Sequence, residues 1–145
     1  MSPAHTVSIR VRYAETDQMG VVYYANYFVW FEIGRVELMR SLGFDYREIE
    51  EQAQCFLPVV EANCRYRAPA RYDDLLTLET RVLNQRTSMI RFGYRLLRAT
   101  VDAEAGLLAE GETVHVVVDR NMQKTPLPER FAEALRSMGG VHATS

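Results

Sequence analysis

Residues 5 to 13 alternate, with Val7, Ile9, Val11 and Tyr13 on one side and Thr6, Ser8, Arg10 and Arg12 on the other. That period of two predicts a half-buried strand. A loop over residues 14 to 22 follows, pivoting at Gly20, and the spacing then predicts a helix from about 23 to 42 with Gly43 at its C-terminal cap. The first half of this helix, from Tyr23 to Phe31, is apolar almost all round, which predicts burial on most sides. In its second half Arg35, Glu37 and Arg40 are placed to reach solvent. Asp45 and Glu48 have the spacing of a capping box that opens a short helix to about residue 53.

From residue 56 the period returns to two. Val60, Ala62, Cys64, Tyr66 and Ala68 share one face of a long strand, and Leu76, Leu78, Thr80 and Val82 share a face of the next. Ile90, Phe92, Tyr94 and Leu96 mark a third, and Val114, Val116 and Val118 a fourth. The links at 70–74, 84–88 and 102–106 are short, so antiparallel hairpins are expected at each. Pro126 and Pro128 precede a last helix with Leu127, Phe131 and Leu135 on one stripe. The predicted class is α+β, one long central helix wrapped by a curved antiparallel sheet of about five strands. Such a sheet leaves a face and an edge open, which predicts a homo-oligomer.

At 145 residues the chain has the size of a single domain spanning 1–145, and no repeat or linker divides it. Its 48% apolar content suits a globular core. A formal net charge of −2 argues against nucleic acid as a partner held by bulk electrostatics. The apolar run from Val21 to Ile33 is broken by Asn26 and Glu32 and falls short of the ~20 residues that span a bilayer, so no membrane insertion is expected. The opening residues lack a charged segment followed by an apolar one, and a cytoplasmic location is expected. Cys55 and Cys64 stand nine positions apart in one extended segment, ~30 Å and beyond disulfide reach, which predicts two reduced thiols.

His5, His115 and His142 are scattered, and no metal signature, phosphate loop or nucleophile elbow occurs, so no metal or cofactor is expected. A carboxylate is then the candidate for chemistry. Asp17 lies just before the predicted buried helix, whose N-terminus offers unpaired N–H groups and partial positive charge. A carbonyl placed there would be polarised, and a nearby carboxylate would attack it or deprotonate a water. Gly20 lets backbone approach a substrate closely. On local grounds alone a helix cap by Thr16 or Asp17 is the stronger reading.

The segment from Tyr13 through Asp17, Gly20 and Tyr24 to Arg35 resembles the signature of the hotdog-fold acyl-CoA thioesterases, in the branch of the YbgC-type and 4-hydroxybenzoyl-CoA enzymes. Phe56 to Glu61, Tyr66 to Asp74 and Asn121 to Pro128 extend the resemblance to roughly residues 5 to 135. It implies hydrolysis of acyl-CoA, with Asp17 as nucleophile or general base and the Tyr24 N–H polarising the thioester carbonyl. Tyr24 stands where the YbgC branch often has His and resembles the 4-hydroxybenzoyl branch there. Tyr13, Gly20, Val21, Tyr27, Phe28, Pro58, Val59 and Val60 are implied at the acyl pocket, and Arg86, Thr87 and Ser88 at the CoA nucleotide. CoA enters as part of the substrate. A dimer or a dimer of dimers, hence a homotetramer, is implied, with the partner helping to close the pocket. Glu32 is expected to pair with Arg35 or Arg10. The rival reading is a non-catalytic module that binds acyl-CoA or acyl-carrier protein.

Overall fold

A computed structural model of the chain describes residues 4–44, 46–99, 106–138 and 141–142. Strand β1 (His5–Arg10) leads through a 3-10 turn (Tyr13–Glu15) to α1 (Asn26–Ser41) and α2 (Tyr46–Glu51). Strands β2 (Val59–Tyr66), β3 (Leu75–Arg86), β4 (Met89–Arg98) and β5 (Leu107–Val116) follow, then α3 (Glu129–Arg136) and the two-residue β6 (Val141–His142). Asp45 and most of the 102–106 link lie outside the described residues, so neither that cap nor that turn is assessed.

The strands form one sheet in the order β1-β3-β4-β5-β2, antiparallel between neighbours, with β6 parallel to the far end of β3. Register shifts at Val59/Glu61, Val82/Asn84 and Leu96/Leu97 are bulges, and bulges bend strands and increase their twist. The hairpin expected between the second and third strands is absent. Both sides of β3 are taken, by β1 and β4, so β2 pairs with β5 at the sheet's edge. Residues 67–74 cross the sheet's end instead, and at ~3.3 Å per residue they have the reach to pass two strands spaced ~4.8 Å apart.

Leu76, Leu78, Val82, Phe92, Tyr94 and Leu96 are buried beneath α1, whose Trp30, Phe31, Leu38 and Met39 are buried in turn. Phe31 stacks on Tyr94 with ring centroids 4.3 Å apart. Close approach is set by Gly34, where an added Cβ would sit 2.4 Å from Thr80 Oγ1 and 2.7 Å from Leu78 Cδ2. The helix begins at Asn26 rather than 23, because residues 23–25 make a turn in which Tyr23 O accepts the Asn26 N–H. Nor is its first half buried on most sides. One sheet covers one side, and Val29 and Ile33 remain exposed on the other. Gly43 does end the helix, with φ of +92°. Arg35 turns inward to the Tyr94 hydroxyl at 3.5 Å, while Arg40 pairs with Glu37 at the surface. Leu127, Phe131 and Leu135 of the α3 stripe are buried, and Phe131 packs edge-on against Phe44.

Candidate active site

The Asp17 loop closes on itself. Asp17 N–H donates to Val21 O at 2.8 Å, Gly20 N–H donates to Asp17 O at 3.0 Å, and Gly20 takes φ of +79°. The Asp17 carboxylate accepts the Met19 N–H at 2.8 Å and the Val21 N–H at 3.4 Å, both on Oδ1. Its second oxygen accepts no hydrogen bond among the described residues. Asp17 therefore orders its own loop and does not cap α1, whose N-cap position is Ala25 and carries no side-chain cap bond. Thr16 does not cap the helix either, since its hydroxyl donates to Tyr13 O at 2.7 Å.

Two clasps hold this loop beside the helix entrance. Glu15 is buried, accepting the Arg12 N–H at 2.7 Å and the Trp30 indole N–H at 3.0 Å, while its carbonyl accepts Tyr23 N–H and Asn26 Nδ2–H, each at 2.9 Å. On the other side Val22 N–H donates to Ala70 O at 2.8 Å, and the Tyr27 hydroxyl accepts the Ala70 N–H at 3.2 Å. Asp74 steadies that crossing segment by accepting the Arg71 N–H and pairing with Arg98 at 3.1 Å.

Between the clasps lies an open cavity of about 460 Å³ bounded by Asp17, Val21 to Tyr24, Tyr27 and residues 66 to 69. That volume lies within the ordinary range for small-molecule sites. Of the residues expected there, Asp17, Val21, Tyr24 and Tyr27 line it together. Tyr24 N–H and Ala25 N–H have no acceptor among the described residues. Burial pushes the Tyr27 phenol up from its ordinary value, and desolvation, with Cys64 and Tyr27 beside it, pushes Tyr66 up to about 12. Both hydroxyls stay protonated.

The other expected residues are elsewhere in a single chain. Tyr13 is exposed and packs edge-on against Tyr72, Phe28 packs on the core beside Phe31, and Gly20 forms the loop's tip without lining the cavity. Pro58, Val59 and Val60 lie at the start of β2, whereas Tyr66, at its end, is the part that lines the cavity. Arg86, Thr87 and Ser88 lie farther still. From Leu75, paired with Arg10, to Arg86 the strand advances roughly 36 Å. Ser88 has a structural partner there, donating to Thr125 O at 2.9 Å. Strand direction explains the separation, because β2 and β3 each run the length of the sheet. Glu32 pairs with neither Arg35 nor Arg10; Arg10 donates to Asp73 O instead. Tyr66, Arg67, Ala68 and Pro69 were legible only as strand and turn, and Glu15 gave no signal of its burial.

A family model described as the thioesterase-like superfamily matches residues 11–135. This chain belongs to that superfamily. It is 35% identical over 122 residues to the acyl-CoA thioester hydrolase YbgC of Escherichia coli, covering 83% of this chain and 87% of the relative. Among solved structures it is similar to the hypothetical protein TT1821 of Thermus thermophilus, with 37% identity, TM-score 0.83, and 92% and 98% of the two chains covered. The 1,4-dihydroxy-2-naphthoyl-CoA thioesterase Slr0204 of Synechocystis matches with 25% identity, TM-score 0.84, and coverage of 94% and 98%. The two structural matches support the α+β hotdog architecture with a curved antiparallel sheet of five strands. Among the described residues no helix is long and apolar enough to cross a membrane.

Proposed function

We propose that this protein hydrolyses acyl-CoA thioesters at the Asp17 cavity. One observation carries the reading: a carboxylate fixed through one oxygen, its other oxygen free, shares a cavity with Tyr24, whose unpaired N–H lies just before a sixteen-residue helix. The thioester carbonyl lies at the Tyr24 N–H, where the helix terminus stabilises the negative charge that develops on its oxygen. Asp17 acts in one of two ways. As general base it takes a proton from water, the oxygen adds to the carbonyl carbon, and collapse breaks the C–S bond to release acid and CoA thiol. As nucleophile it adds directly, expels the thiolate, and leaves an anhydride that water opens. No metal or cofactor enters either route.

A second copy completes the site in this reading. Strand β2 is an exposed edge, with Val59, Val60 and Tyr66 all open to solvent. An antiparallel β2 to β2 pairing about a twofold axis sets the start of one strand beside the end of the other. Val59 and Val60 of one protomer then reach the Tyr66 end of its partner, which reconciles their expected role with their distance in one chain. The Arg86–Ser88 hairpin, exposed at Arg86 and Thr87, is brought to the nucleotide side of the substrate by the same pairing.

Steady-state hydrolysis of aromatic and aliphatic acyl-CoAs by the purified protein tests the activity. Turnover on one of these classes is expected. Tight CoA binding with no turnover on any thioester would overturn the reading in favour of a binding module.

A further inference from the structure

Two consecutive peptide groups enter α1 in the same arrangement. The Tyr23 carbonyl accepts the Asn26 N–H at 2.9 Å, and the peptide it belongs to carries the unpartnered Tyr24 N–H. The Tyr24 carbonyl accepts the Tyr27 N–H at 3.3 Å and, from outside the segment, the Tyr66 hydroxyl at 3.0 Å. Its peptide carries the unpartnered Ala25 N–H. A peptide whose carbonyl accepts hydrogen bonds is polarised and becomes a stronger N–H donor. The first peptide is flanked by contacts to Glu15, whose carbonyl accepts the Tyr23 N–H and the Asn26 Nδ2–H. For the second, the Tyr66 hydroxyl is the side-chain anchor.

Tyr66 is well placed to hold that peptide still. It is the last residue of β2, so its backbone is fixed by pairing with Ala109 of β5. Its ring meets the buried Tyr27 ring edge to face, with centroids 4.9 Å apart. It borders the same cavity as Asp17.

We infer that Tyr66 is a positioning residue for thioester hydrolysis, its O–H fixing and polarising the Tyr24–Ala25 peptide so that Ala25 N–H joins Tyr24 N–H as a donor to the developing oxyanion. The inference rests on the function proposed above. Because the bond is to the carbonyl, Tyr66 acts through the backbone and not on the substrate's reacting atoms. Its phenol remains a donor throughout the neutral range, so the effect is independent of pH there.

Tyr66→Phe removes the hydroxyl and keeps the ring contact with Tyr27. The expected result is a kcat about 10-fold lower, less than the 10²–10³ typical of deleting a direct oxyanion donor. KM is expected within twofold of the parent, and the shape of the pH profile unchanged. A second readout needs no turnover. Infrared spectra of a thioester bound to the Asp17→Asn protein report carbonyl polarisation as a lowered stretching frequency, and the added Tyr66→Phe change is expected to raise it again. A kcat within twofold of the parent together with an unmoved carbonyl frequency overturns the inference. If Asp17→Asn abolishes turnover while Tyr66→Phe gives that result, the Asp17 reading stands and the Tyr66 role alone falls. Full activity in Asp17→Asn would instead remove the reading beneath it.

Discussion

Asp17 and Glu15 stand two residues apart and do different work. Glu15 is buried among donors and joins the 3-10 turn to Trp30. Glu15→Ala leaves the Arg12 and Trp30 N–H groups without their partner and is expected to lower stability by ~1–3 kcal/mol, read by urea unfolding. His115 gives a pH signature. Its ring, hydrogen-bonded to Leu57 O and Thr113 Oγ1, is held down to about 4, first by desolvation, against an ordinary value of 6.5. The unfolded chain binds the extra proton between those values. Stability from this group is therefore complete above pH ~6.5 and lost as pH falls toward 4, at up to ~1.4 kcal/mol per pH unit. His115→Gln is expected to flatten that part of a stability profile, and an unchanged slope would show that other groups set it. The sequence singled out Asp17 because loop, glycine and helix follow one another locally, while its catalytic role was implied by the family resemblance. It could not signal Glu15, whose burial depends on a Trp fifteen positions later, or Tyr66, whose bond spans 42 positions.

The elements were legible wherever a period ran unbroken. The β3 and β4 alternations, the Gly43 stop and the α3 stripe were all found from spacing, because burial on one face leaves a direct pattern. The helix start is not legible, since Tyr23 and Tyr24 continue an apolar run while their backbone turns. The β2 partner is not legible either, since pairing order is decided by competition for β3, which no local pattern records. Helix against sheet depends on Gly34. Gly34→Ala places a methyl against Thr80 and Leu78. The expected loss is ~1–3 kcal/mol, the range for overpacking, measured as a lower melting temperature. A melting temperature equal to the parent's would mean that the helix lifts from β3 without penalty.

For the whole molecule, the proposed pairing of β2 with a second copy would account both for the open edge and for the separation of predicted site residues to opposite ends of the sheet. Light scattering is expected to give a multiple of the 16.7 kDa chain mass. Val60→Asp, on the exposed edge, is expected to shift that mass toward one chain and to reduce turnover at least tenfold while circular dichroism is retained. A fully active monomer would contradict completion of the site by a partner. Asp17→Asn keeps the side chain's size and an oxygen for the Met19 and Val21 N–H groups, yet removes the charge that the proposed chemistry requires. Turnover of the best acyl-CoA substrate is expected to fall ~100-fold or more, on the scale of general-base contributions, with the fold and melting temperature nearly unchanged. A loss of less than tenfold in a folded protein would contradict the assignment of Asp17 as the catalytic carboxylate.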